Sequence, residues 1–173
     1  MRYQFLIDTY ETERLKVLSV WSMFRDEDLT AARLGRNALE HMVHQCTSEN
    51  NWFRSMFGID VGAPPLPEAQ TRLGFLSRYA EDSLRRLEAL RVQAEPWWEE
   101  EVDFFDVPRS RAWIMVRRIA HTAHHRGQQM ALLRMLNRKV YSNYGPTADT
   151  GGEVIYAYPD AGALLDAIKN GEA

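Results

Sequence analysis

Cysteine is nearly absent: Cys46 stands alone among 173 residues, so no internal disulfide can staple the fold and stability has to come from a packed core. Long apolar runs are missing as well. The N-terminal stretch meets Asp8 before a signal-peptide core can form, and nothing later approaches the length of a membrane span. Secretion and membrane insertion are therefore not expected, and a cytoplasmic location is. A basic surplus is also lacking, with 21 Lys and Arg against 24 Asp and Glu, a net charge of -3 and a pI near 6.0, which argues against general electrostatic attraction to nucleic acid. Neither a phosphate-cradling glycine loop nor a dinucleotide fingerprint is present.

What is present is an ordinary globular composition, 45% apolar and 26% charged, in a chain sized for one domain over residues 1–173. Tyr3, Ile7, Tyr10, Val17, Trp21 and Phe24 recur at helical steps and predict a first helix to about Phe24, its apolar face interrupted by Arg14. A second helical pattern runs from about Gly35 to Phe57, and the prolines of 61–67 require a loop. A third helix is expected from about Glu68 to Arg91, ended by Pro96. Trp97 to Val107 then read as an irregular or extended acidic connection. Ser110 is placed to cap a fourth helix reaching Leu136 or Asn137; a turn-rich tail and a short helix over 161–168 complete the chain. Four long amphipathic segments predict an all-α fold, an antiparallel four-helix bundle with a long connection before its last long helix.

The histidines carry the chemistry. On an ideal helix His121 and His125 lie about 40° apart and roughly 6 Å along the axis, so both rings can reach one ion. Ile114, Arg117, Arg118, Gln128, Leu132 and Met135 fall within roughly 60° of His121, a mixed inward stripe, while His124 points to the other side. A third ligand is needed, and the second helix offers His41 and His44. With Leu39 at zero on that helix, Val43, Cys46, Phe53 and Phe57 form a core stripe. Asn37, His41, His44, Gln45, Ser48, Asn51, Trp52 and Ser55 occupy an arc of about 120° to 240° without a single charge. A neutral polar arc suits a pocket wall better than a solvated face. Cys46 sits toward the Leu39 stripe and reads as core packing. Thr122 stands where a zincin helix needs its glutamate base, so metallopeptidase chemistry is not expected.

The run His121-Thr122-Ala123-His124-His125-Arg126-Gly127-Gln128 resembles the HxxxHRGQ motif of the DinB/YfiT-like family of metal-dependent enzymes, and Asn143 to Asp149 resemble the segment that follows it there. Leu39 to His44, with Glu49 and Trp52 after them, is similar to the family segment bearing its first metal histidine. The resemblance implies a four-helix bundle, frequently dimeric, with a three-histidine site for zinc, nickel or a similar divalent transition metal. By position the ligands would be His44, His121 and His125, the spacing to Glu49 favouring His44 over His41. Arg126 and Gly127 project away from His121 and are expected to make contacts between helices, Gly127 by letting another helix approach closely.

Some members of the family transfer low-molecular-weight thiols, and others are described as hydrolases. Three neutral imidazoles with an open position would activate a thiol or water toward a small-molecule substrate. Neither histidine stripe supplies a carboxylate base for hydrolysis, which tilts the expectation toward thiol transfer. The alternative is a non-enzymatic dimeric metal-binding or stress-response protein. A homodimer is expected because Trp52, Trp97, Trp98, Phe104, Phe105 and Trp113 lie outside the plain stripes. Residues 107–148 hold seven arginines and Lys139 but no Asp or Glu. Of these, Arg117 and Arg118 lie about one turn before His121, where they could hold an anionic substrate or thiol cofactor, unless the cationic run simply answers the acidic 99–106 connection.

Overall fold

The computed structural model describes residues 2–31 and 35–173. The chain is mostly helical: α1 (Gln4–Ser22), α2 (Ala38–Ser55), α3 (Arg72–Arg91), a short α4 (Glu95–Glu99), strands β1 (Glu101–Phe104) and β2 (Val107–Ser110), the long α5 (Arg111–Met135) and α6 (Ala161–Asn170). The starts of α2, α3, α5 and α6 are set by side chains that satisfy free backbone donors. Asn37 and Glu40 form a reciprocal capping box that begins α2 at Ala38 rather than Gly35. Thr71 Oγ1 accepts from Gly74 N and delays α3 to Arg72. A β-carbon on Gly74 would meet Ala69 O at 2.2 Å, so the preceding chain folds back over this turn and 68–71 cannot join the helix. Ser110 caps α5 as its sequence predicts.

Pro96 does not terminate α3, which stops at Arg91; it sits in the first turn of α4, where a missing N–H costs nothing. The connection expected to be irregular or extended is extended over Glu101–Phe104 and folds back as an antiparallel hairpin, with Phe104 paired to Val107 and a two-residue turn of Phe105 and Asp106 at φ 50° and 66°. Both turn residues are left-handed, the combination that matches strand twist and that Asn-Gly adopts most cheaply.

Two apolar clusters show how the long helices run. One joins the C-terminal half of α1 (Val17, Leu18, Trp21) to the N-terminal halves of α2 (Met42, Cys46) and α3 (Phe75, Tyr79) and to Leu132 and Leu133 of α5. The other joins Leu6, Ile7 and Tyr10 of α1 to Phe53 of α2 and Phe57 just after it, Leu87 and Leu90 of α3, and Ile114 and Met115 of α5. Hence α1 and α5 run one way, α2 and α3 the other. The long helices do not simply alternate in direction, because the proline loop of 61–67 belongs to a crossover that returns the full length of the molecule before α3 begins.

Between the clusters lies a polar layer that apolar periodicity does not reveal. Glu49 of α2 is fully buried and accepts from Tyr10 Oη (2.7 Å), Tyr79 Oη (3.1 Å) and Arg86 Nη1 (3.4 Å), with Arg118 Nη2 at 3.6 Å. Arg118 also donates to Ser48 Oγ (3.1 Å) and Thr122 Oγ1 (3.0 Å). Arg14 donates to Ser83 Oγ and Ala80 O. Arg126 binds the buried Glu13 through its backbone and side chain, and Tyr144 closes the same carboxylate at 2.6 Å. Arg126 thus makes the interhelical contact its position predicts. Gly127 does not: it is exposed, with nothing among the described residues within 4 Å of a β-carbon built there, so no described helix approaches it.

Removing one partner of a buried ion pair strands the other charge without water. Arg118→Leu should lower unfolding free energy by about 3–5 kcal/mol, whereas Arg117→Leu, at an exposed position, should change it by less than about 0.5 kcal/mol. Chemical denaturation of the two variants beside the parent checks the contrast.

Candidate metal centre

α2 packs against α5, and at their contact His44 meets His121 and His125. One ring nitrogen from each lies within 4.8 Å of the other two, and the ring centroids are separated by 4.5 Å (His44 to His125), 5.4 Å (His44 to His121) and 4.5 Å (His121 to His125). His125 Nε2 and His121 Nε2 are 3.2 Å apart. Two imidazole nitrogens bound to one tetrahedral ion at about 2.0–2.1 Å would be separated by about 3.3 Å, so this pair is already spaced for a shared cation.

The protonation state agrees. Burial, reinforced by the Arg118 guanidinium, holds His121 down to about 3. Burial holds His125 at about 4 against the opposing hydrogen bond to Gln128. Burial followed by the charge of Arg36 lowers His44 too. All three rings are neutral at ordinary pH and offer lone pairs. His125 Nδ1 lies 2.9 Å from Gln128 Oε1; with its proton on Nδ1 the ring donates to that amide and keeps Nε2 free to face His121. Two such lone pairs at this distance repel unless a proton or a cation stands between them. His44 Nε2 is buried with no hydrogen-bond partner. These residues fit a divalent transition metal, since imidazole nitrogen suits zinc, nickel and their neighbours and the set contains no hard carboxylate.

His41 is buried beside His125, ring centroids 5.6 Å apart, but lies outside the mutually close set; burial and then Arg36 lower it to about 4. It borders a cavity of about 310 Å³ with Arg36, Gln128 and Met135. His124 is exposed. Cys46 is buried in the core and burial pushes its thiol far up, an inert packing residue. Arg118 is turned into the polar layer and acts on the cluster through its charge, while Arg117 stands exposed. Among the described residues Arg111 is the one α5 cation that answers the acidic connection, through Glu100 at 2.6 Å; Arg134 pairs instead with Asp149, and Arg138, beyond the helix end, with Asp28 and Glu27.

Two features escape sequence reading. Gln128 orients His125 from the next turn, a role its place in the HRGQ run could have signalled. Trp52 stacks on His121, centroids 5.7 Å apart and planes 28° apart, and is itself met edge-on by Phe104 and Phe105 of the hairpin. A second cavity of about 400 Å³ between α1 and the C-terminal tail shares no residue with the histidine set.

The sequence model of the DinB family matches residues 6–152. The chain belongs to the DinB family. A solved DinB-like protein from Bacillus cereus ATCC 10987 shares the fold with a TM-score of 0.70 at 20% identity, over 80% of this chain and 95% of that one. No curated protein matches the chain. Among the described residues no helix of this DinB protein is long and apolar enough to cross a membrane.

The depressed histidines couple acid to stability. Unfolding restores them to about 6.5, so below that pH the unfolded chain binds protons that the folded chain refuses. Their contribution is intact above 6.5 and is lost progressively as pH falls toward 4. Urea denaturation of the metal-free protein across that range should show the decline, and His121→Gln should make it shallower.

Proposed function

We propose that this DinB protein is a small metalloenzyme of the thiol S-transferase or hydrolase type, holding a divalent transition metal, zinc or nickel, through His44, His121 and His125 on a four-helix-bundle scaffold. The observation that carries the reading is the set of three neutral imidazole nitrogens within 4.8 Å of one another and without a carboxylate among them. Bound there, the ion supplies Lewis-acid chemistry that makes a thiol or water acidic near neutral pH. The chain does the rest. Gln128 fixes the tautomer of His125, Trp52 fixes the ring plane of His121, and Arg118 with Arg86 outweighs Glu49 by one positive charge, so the layer behind the site favours an anionic ligand in front of it. Arg118 therefore serves an anionic substrate by potential and not by contact. The absence of a carboxylate base among the ligating groups favours a thiol over water.

A non-enzymatic reading, in which the ion stabilises or senses, draws on His41: its buried, unpartnered Nδ1 lies next to His125, and recruiting it as a fourth ligand would close the site. Elemental analysis separates the possibilities. His44→Ala, His121→Ala and His125→Ala should each lose most of the metal with helix content retained, while His124→Ala and His41→Ala keep it. Metal loss in His41→Ala would favour the closed site, and full loading of His125→Ala would end the three-histidine assignment.

We also propose that the protein acts as a cytoplasmic homodimer. Trp113, Val116, Ala120, His124, Gly127, Ala131 and Met135 are all exposed and fall within about 100° of one another on α5, a largely apolar stripe on the side away from the core, with the exposed Arg117 and Arg134 at its two edges. Gly127 then has its use outside the chain, where a second copy can come close. Light scattering should give twice 20.1 kDa, and Ala120→Glu should halve it; a monomeric parent would rule the dimer out.

A further inference from the structure

Phe105 is costly where it stands. It occupies the first position of the hairpin turn at φ 50°, a conformation an aromatic side chain rarely accepts, and it remains 65% exposed, so burial repays little of the strain. Asn or Gly would serve the turn better. What the ring does gain is position. It lies 4.8 Å from Phe104 and 6.1 Å from Trp52, centroid to centroid, and Trp52 stacks on His121. Trp113, 40% exposed, extends the same surface beyond Phe104 at 5.2 Å. The hairpin thus carries a partly exposed aromatic surface up to His121.

We propose that Trp52 and Phe105 form an apolar wall of the histidine site that selects, among small ligands entering its open position, those bearing an aromatic group. The proposal rests on the metal-binding reading and names the substrate class that site would take. Aromatic rings meet such a wall edge-on or offset, a preference beyond plain burial. Phe105 acts here as a specificity residue and has no part in holding the ion.

The test uses the full-length protein loaded with cobalt(II), whose visible absorption reports ligands at the ion. Benzyl mercaptan and 2-mercaptoethanol are titrated against the parent and Phe105→Asn, a substitution that suits the turn and keeps the hairpin folded. The parent should prefer benzyl mercaptan, and Phe105→Asn should reduce that preference roughly three- to tenfold, with cobalt content unchanged. An unchanged preference in a cobalt-loaded variant overturns the wall. So does an unchanged preference accompanied by a fall in particle mass, which would make Phe105 a contact between copies. Failure of the folded parent to take up cobalt defeats the metal reading itself, and is recognised separately because no cobalt spectrum develops before any thiol is added.

Discussion

A carboxylate sealed from water has to be matched from every side, and Glu49 is matched by three of the four long helices at once: Tyr10 from α1, Tyr79 and Arg86 from α3, and Arg118 from α5 converge on this one side chain of α2. Desolvated charge tolerates little misplacement, because a shift of a few ångströms leaves a lone ion in the core. The layer therefore fixes the axial register of helices that the two apolar clusters alone would let slide, since Leu, Met and Phe can repack at many offsets. Arg118 carries that register to the histidines. It binds Ser48 on one side and Thr122 on the other, and these stand four residues after His44 and one after His121.

The same arrangement shows how much the sequence discloses. The apolar steps of α1, α2, α3 and α5 locate the long helices and Ser110 marks where the last of them starts, whereas the caps at Asn37 and Thr71 move the starts of α2 and α3 inward from the expected Gly35 and Glu68. The His121 and His125 spacing and the uncharged arc of α2 bring the right faces together, because both follow from helix geometry alone. What periodicity misses depends on the partner. Glu13, Arg14, Glu49, Arg86, Arg118 and Arg126 look like breaks in a stripe until the opposing charge is known, and Arg118 looked available to a ligand for that reason. The direction of the helices was equally hidden, since a proline loop is compatible with a tight return or with a crossover. The hairpin was concealed because Phe105-Asp106 lacks the glycine that usually announces its turn.

Neutral histidines are a consequence of what surrounds them. A carboxylate beside an imidazole favours imidazolium, and a protonated ring cannot ligate a metal. From 107 to 148 there is no Asp or Glu, so α5 offers its own histidines no carboxylate that would raise them, and only the Gln128 hydrogen bond to His125 acts in that direction. Its arginines draw their counterions from elsewhere, Arg111 from Glu100, Arg118 from Glu49, Arg126 from Glu13 and Arg134 from Asp149, and Arg138 just beyond its end pairs with Asp28.

That pattern makes α5 a helix with separate duties around its circumference. One side holds His121, His125 and Gln128, the directly adjoining side, which begins with Arg118 about 20° from His125, sends Arg118 and Arg126 into the core, and the outward side bears the largely apolar stripe with Gly127. Acids would be harmful on the first side, where they raise the histidines. On the second they would repel Glu49 and Glu13, and on the third they would oppose an apolar contact. The acid-free stretch is thus one solution to three constraints, and the positive charge it leaves on the helix is drawn inward by carboxylates on neighbouring segments. A cation bound by the histidines would then sit near a helix whose buried arginines each face a carboxylate, which limits the repulsion on it without cancelling that of Arg118, which shares Glu49 with Arg86.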